Sequence, residues 1–176
     1  MYLNCWAFRV RKSFSGQHEL TVENAECIRN LPTGPLAFDG FQMVHGSPLD
    51  EDEYILGVAD AGLAFGYLET PLTFFGHTHL QGGFIWNHAR VEIIGKTPAA
   101  EERRTPELDP DCAYMINPGS VGQPRDGDPR AAYVLYNPEE SFLIFYRLPY
   151  DLGKAQEKIR RAGLPPLLAD RLASGR

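Results

Sequence analysis

The sequence predicts an α/β domain in which short, mostly antiparallel strands outnumber helices, and three observations carry that prediction. β-rich runs of three to eight residues recur between Leu36 and Leu148, each bounded by Gly, Pro, Asn or Asp. Helical periodicity is confined to stretches near the start, the middle and the end of the chain. With 176 residues and 43% hydrophobic content, the chain can bury one ordinary core, so residues 1–176 read as a single domain.

Taken in order, Leu20 to Asn30 predicts a short amphipathic helix, with Thr21 as N-cap, Glu23 in the first turn, Val22, Ala25 and Ile28 at helical spacing, and Pro32 beyond. Leu36–Phe38 and Phe41–Val44 flank Asp39-Gly40, a dipeptide suited to the positive φ angles of a tight hairpin. An acidic cluster, Asp50 to Glu53, leads into Tyr54–Leu68, where helix formers mixed with Gly57, Gly62 and Gly66 predict an interrupted helix. Leu72–Phe75 restarts as a strand after Pro71, and Phe84–Trp86 with Val91–Ile94 form a second hairpin. The charged, Pro-containing stretch Thr97–Pro110 reads as an exposed loop. Ala113–Ile116 is a strand that runs into a long Gly/Pro turn, and Ala131–Tyr136 pairs antiparallel with Ser141–Leu148. Asp151 caps a helix to Arg161 that stops at Gly163, and Pro165-Pro166 starts a final short one carrying Leu167, Leu168 and Leu172.

Composition excludes several functional classes. A formal net charge of −6 and a pI near 5.3 argue against a broad footprint for nucleic acid or an anionic membrane, while leaving room for a local basic pocket. Cys5, Cys27 and Cys112 are odd in number, widely spaced and outside any Cys-x-x-Cys pattern, which fits three ordinary thiols in a reducing compartment. The opening Met1–Val10 is partly apolar, but the basic residues Arg9, Arg11 and Lys12 follow the apolar part and no small-residue cleavage site is present, so the stretch does not read as a convincing signal peptide. No apolar run approaches the length of a membrane span, and the simplest location is the cytoplasm.

Chemistry concentrates where strands end. Gly76-His77-Thr78-His79 follows the Leu72–Phe75 strand; extended, it would project both imidazoles to one side, toward one metal ion or two adjacent ones. His45 likewise follows an apolar strand, in His45-Gly46-Ser47-Pro48, whereas His18 and His88 read as surface residues. Neutral imidazoles suit Mn, Fe, Zn or Ni better than the oxygen-rich cages of Mg or Ca. From Asn117 to Arg130, backbone donors from several glycines, the Ser120 hydroxyl and the guanidinium groups of Arg125 and Arg130 suit phosphate oxygens. The same turn reads equally well as a connection whose arginines pair with Asp126 or Asp128. It lacks the Gly-Lys-Ser/Thr end of a P-loop, and neither Ser47 nor Ser120 lies in a Gly-x-Ser-x-Gly elbow.

The ordered motifs His45-Gly46-Ser47-Pro48, Gly76-His77-Thr78-His79, Asn117-Pro118-Gly119-Ser120-Val121-Gly122-Gln123-Pro124-Arg125 and Arg147-Leu148-Pro149-Tyr150-Asp151 resemble the calcineurin-like metallophosphoesterases. The resemblance is to their small bacterial and archaeal phosphodiesterase branch, including the tail Ala162-Gly163-Leu164-Pro165 and Arg171-Leu172, and it covers nearly the whole chain. It implies a sandwich of two sheets with flanking helices and metal-dependent hydrolysis of a phosphate ester, a diester in particular. It assigns His45 and His77 to one divalent ion and His79 to its neighbour; in the Gly/Pro turn, Asn117, Ser120 and Arg125 are the candidate substrate-binding residues.

The family's Asp-x-His, Gly-Asp and Gly-Asn-His-Asp motifs, which supply the bridging carboxylate, remaining ligands and catalytic histidine, do not precede His45. Gly127-Asp128 and Asn87-His88 stand in the wrong order to replace them. The resemblance therefore implies the C-terminal part of a larger domain, without its catalytic histidine. Three neutral imidazoles cannot balance two divalent cations, so at most one ion is expected in this chain alone. Uncovered apolar sheet surface then predicts either a homo-oligomer or a separate N-terminal half as partner. The competing reading is a non-catalytic domain that binds a phosphorylated ligand or partner, or a truncated product.

Overall fold

Period-two alternation along the short strands builds two apolar layers. In chain order the elements are α1 (Val22–Arg29), β1 (Leu36–Phe38), β2 (Phe41–Met43), α2 (Val58–Phe65), β3 (Leu72–Phe74), β4 (Gly82–Trp86), β5 (Val91–Ile94), β6 (Arg103–Arg104), β7 (Ala113–Asn117), β8 (Ala131–Asn137), β9 (Phe142–Leu148), α3 (Leu152–Arg161) and α4 (Pro166–Asp170), closed by a 3-10 turn at Arg171–Ser174. This is a computed structural model describing residues 21–176. The expectations for Met1–Val10, Cys5, His18 and Leu20 lie outside the described residues.

Six strands form one sheet in the order β1-β2-β3-β7-β4-β5, and three form a second in the order β6-β9-β8. Phe41 and Met43 of β2, Leu72 and Phe74 of β3 and Tyr114 and Ile116 of β7 cluster with Val134, Leu143 and Phe145 of the small sheet. That cluster is the layer between the sheets. The alternate residues Val44, Phe75, Phe84 and Met115 face the other way and pack with Ile55 and with Ala61 and Ala64 of α2. Helix α2 therefore covers the outer face of the large sheet. The architecture is the expected mixed α/β sandwich, mostly antiparallel, but two of its seven strand pairings among the described residues, β2–β3 and β3–β7, are parallel.

Four local expectations are corrected. Tyr54–Leu68 holds one uninterrupted helix, because Gly57 and Gly66 cap it at either end and the Asp60 carboxylate accepts from the backbone N–H groups of Leu56 and Gly57. Thr97–Pro110 is not simply an exposed loop. Arg103–Arg104 pairs with β9, and Thr97 is buried with its N–H donated to Gln81 Oε1 at 3.0 Å. In the Asp39-Gly40 turn only Gly40 takes a positive φ, +79°. Helix α1 starts at the expected cap, Thr21, yet Val22 is exposed and no residue of the helix is fully buried, so its apolar stripe is not a core face.

Leu143 is completely buried between the sheets, whereas Ile93 on β5 is exposed. Leu143→Ala should lower unfolding free energy by about 2–5 kcal/mol, and Ile93→Ala should change it by no more than about 0.5 kcal/mol, both measured by chemical denaturation.

Candidate metal centre

Parallel pairing of β2, β3 and β7 brings the carboxyl ends of three strands to one edge, where loops of an open sheet assemble sites. Met43, Phe74 and Ile116 lie side by side in the register. The ladder continues one step further, with Val44 N–H donating to Phe74 O at 2.9 Å and Phe75 N–H to Ile116 O at 3.0 Å. Gly76 N–H then donates to His45 O at 2.8 Å, so His45 and His77 leave adjacent strands together.

The Gly76–His79 segment is not extended, contrary to the geometry considered from sequence. His77 and His79 both have left-handed backbones, with φ of 62° and 61°. Thr78 N–H donates to Gly76 O at 2.6 Å across His77, closing a tight three-residue turn of a rare and strained type. Such conformations in L-residues each cost of order 1–3 kcal/mol and persist only where their surroundings hold them. Asn117, fully buried at the end of β7, supplies that hold: its amide donates to Gly76 O (3.1 Å) and Thr78 Oγ1 (2.9 Å), and its Oδ1 accepts from Gly119 N–H (2.9 Å).

His45 Nε2 and His77 Nδ1 lie 3.1 Å apart with both rings buried. Two nitrogens each about 2.1 Å from a shared ion would stand roughly 3.0–3.4 Å apart at octahedral to tetrahedral angles, so this pair fits one metal seat. His79 Nδ1 contacts Gln123 O at 2.8 Å; donation there selects the tautomer that carries its lone pair on Nε2, the usual outer-shell support of a metal-binding histidine. Arg125 N–H donates to His79 O at 3.2 Å, so the second loop grips this residue at both side chain and backbone. Among the described residues no three His, Cys, Asp or Glu side chains converge as a complete ligand group. His88 is exposed and tied to Asp111 O at 2.7 Å, away from this edge.

The second loop uses much of its polar capacity internally. Ser120 Oγ accepts from the N–H groups of Gly122 (3.3 Å) and Gln123 (2.9 Å), and Gly119, at φ +84°, lies where a Cβ would meet Ala132 Cβ at 2.6 Å. Arg125 Nη2 donates to Gln123 Oε1 at 3.2 Å, while its buried Nε has no hydrogen-bond partner among the described residues. Arg130 is committed to Asp128 through an ion pair at 2.6 Å.

Sequence reasoning missed the group beneath the loop. Arg147 is wholly buried and paired with Asp126; its Nε donates to Gln81 Oε1 at 3.0 Å and Nη1 to Arg130 O at 3.3 Å. Gln81 N–H donates to the same Asp126 carboxylate at 3.0 Å, and its amide donates to Tyr146 O at 2.9 Å. The histidine segment, the second loop and the small sheet are thus joined through one buried guanidinium. The signal was present: Arg147 follows Leu143 and Phe145 in the inward phase of β9, so alternation alone puts a charge in the core. Tyr54, whose ring lies 4.1 Å from that of His77, carried no such signal.

Arg147→Met should destabilise the fold by about 3–5 kcal/mol by leaving Asp126 buried and unpaired, and pairing it with Asp126→Leu should restore part of that loss in denaturant melts. The Arg130 hydrogen bonds hold the Asp128 carboxyl below its ordinary value. A depressed carboxylate stabilises above its unfolded pKa and loses that contribution as pH falls through the folded one. The stability gap between wild type and Asp128→Asn should therefore be constant above about pH 5 and shrink below about pH 4.

No family model matches the sequence. A metallophosphoesterase from Sphaerobacter thermophilus superimposes with a TM-score of 0.79 at 35% identity, covering 90% of this chain and 64% of that one. A hypothetical protein from Pyrococcus horikoshii gives a TM-score of 0.66 at 19% identity, over 90% of this chain and 57% of its own, a likeness of fold alone. In sequence, an uncharacterized protein of Methanocaldococcus jannaschii is 35% identical over 111 residues, which is 60% of this chain and 40% of that protein. The chain spans less than two thirds of each of these relatives. It therefore has the fold of the calcineurin-like metallophosphoesterases, and its partial coverage of them fits a C-terminal portion of that fold.

Proposed function

We propose that this chain contributes one side of a metal-dependent phosphoesterase site that hydrolyses a phosphate ester, most naturally a diester. The observation that carries the reading is the 3.1 Å separation of His45 Nε2 and His77 Nδ1 at the ends of parallel strands. His45 and His77 would hold one divalent transition metal ion, Mn, Fe, Zn or Ni, and His79 would face a second. When bound, such an ion supplies positive charge to phosphoryl oxygens and acidifies a water. The protein's own part is to hold the histidines in place: Asn117 fixes the strained turn, Gln123 O orients the His79 ring, and Arg125, with an unused buried Nε–H, presents a guanidinium suited to a phosphate oxygen. Ser120 shapes the loop whose backbone faces the ester, and catalysis needs no protein nucleophile.

A second reading, a non-catalytic domain binding a phosphorylated ligand or partner, is favoured by the absence of a third converging ligand among the described residues. The partner we infer is a separate N-terminal half of the fold, a reading supported by relatives that are longer than the length this chain spans. Outward-facing Leu135, Phe142 and Ile144 beside an open depression of about 410 Å³ on the small sheet support it, since a solvated sheet face is ordinarily polar. A chain that instead pairs with a second copy of itself would run as a dimer in light scattering and replace that occupant. A cytoplasmic location belongs to the same proposal. No described helix is long and apolar enough to cross a membrane, and Cys27 and Cys112 are free thiols.

Elemental analysis after dialysis against Mn should find close to one equivalent of ion, lost in His77→Ala, together with Mn-dependent cleavage of bis(p-nitrophenyl) phosphate that the substitution abolishes. Metal retention without cleavage would move the chain to the second reading. Failure to retain metal would remove both the ion and the hydrolysis it supports.

A further inference from the structure

We propose that Tyr54 is the platform on which the organic group of the substrate rests, so that the site takes phosphodiesters bearing an aromatic substituent, an aryl ring or a nucleobase, ahead of alkyl esters. This rests on the phosphoesterase reading above and names its substrate class.

The loop after His45 is locked in a way that delivers this one side chain. A Cβ on Gly46 would stand 2.5 Å from Glu53 O and 2.6 Å from Glu51 O, so only glycine lets the loop fold back against the backbone beside His45. Ser47 N–H donates to Asp50 O at 2.9 Å, and Ser47 Oγ accepts from the N–H groups of Leu49 and Asp50, each at 3.1 Å. Immediately after Tyr54, Ile55 is buried with Val44 and Phe75 in the layer under α2. Held between that lock and that anchor, the Tyr54 ring lies over the His77 ring at 4.1 Å with a 38° tilt.

Tyr54 nevertheless stays 42% exposed while His77 beneath it is 4% exposed. One side of the phenol ring covers the imidazole and the rest is open at the same strand-end edge. Fixing a large aromatic ring over a metal-seat histidine and leaving it in water yields little stability by itself. A rigid ring with few rotatable bonds is, however, an economical contact surface for a ligand. Stacking of a planar group on an aromatic side chain strengthens binding, and roughly tenfold in affinity is expected.

The test titrates the purified chain, with diamagnetic Zn present, against diphenyl phosphate and dimethyl phosphate, which carry the same single charge. Binding is followed by calorimetry and by the His77 ring resonances, so the readout does not require turnover. Diphenyl phosphate should bind about tenfold more tightly; Tyr54→Ala should remove that preference, Tyr54→Phe should keep it, and Tyr67→Ala, at an exposed position beyond α2, should leave it intact. Equal binding of the two diesters, or a preference that survives Tyr54→Ala, overturns the proposal. If the chain hydrolyses bis(p-nitrophenyl) phosphate but shows no aryl preference, Tyr54 is excluded while the phosphoesterase reading stands. If the aryl preference holds without metal retention or hydrolysis, the phosphoesterase reading falls and the Tyr54 platform stands.

Discussion

Parallel pairing of β2, β3 and β7 is the constraint on which the rest of this molecule depends. Because the three strands run the same way in matched register, their carboxyl ends emerge together, and His45, His77 and Asn117 become neighbours although they are scattered along the sequence. An antiparallel arrangement of any of them would send its loop to the opposite edge. The remaining pairings complete the sheets and bury the two apolar layers, but they position neither His45 nor His77.

Two energetically unfavourable features are held at this edge. The histidine segment bends through a strained turn and two left-handed residues, and a charged guanidinium is buried beneath the second loop. Each persists because its polar neighbours are fully committed to it: Asn117 spends its amide group on the turn, while Asp126, Gln81 and backbone carbonyls surround Arg147. Buried ion pairs of this kind contribute little net stability but punish loss of either partner. Their effect here is geometric, keeping the second loop and the small sheet in one fixed relation to His79. The apolar clusters are the source of stability, and the polar network determines which arrangement that stability supports.

Much of the fold could be read in advance because its signals are local. Strand limits at Leu36–Phe38 and Val91–Ile94 and the caps at Thr21 and Asp151 follow from turn chemistry and side-chain oxygens within a few residues. The errors share a different origin. Glycines near α2 looked like breaks because sequence spacing does not say whether a glycine lies inside a helix or caps it. Arg103–Arg104 looked like loop because a two-residue strand exists only by virtue of β9 beside it. The extended geometry considered for His77 and His79 failed because backbone strain is imposed by Asn117, 40 residues further along the chain.

The sequence by itself determined that apolar and polar residues alternate in short runs, that three histidines and a Gly/Pro-rich, arginine-bearing loop follow such runs, and that their order matches one family of folds. These are properties of composition and near-neighbour spacing, which no later packing can alter. Tertiary structure alone decided that His45 Nε2 and His77 Nδ1 lie 3.1 Å apart, that Arg130 is tied to Asp128 while Arg125 keeps a buried donor, and that Tyr54 covers His77. Those facts depend on which strands pair in parallel and on how tightly the loop folds against Gly46, and both are settled by contacts between residues distant in the chain.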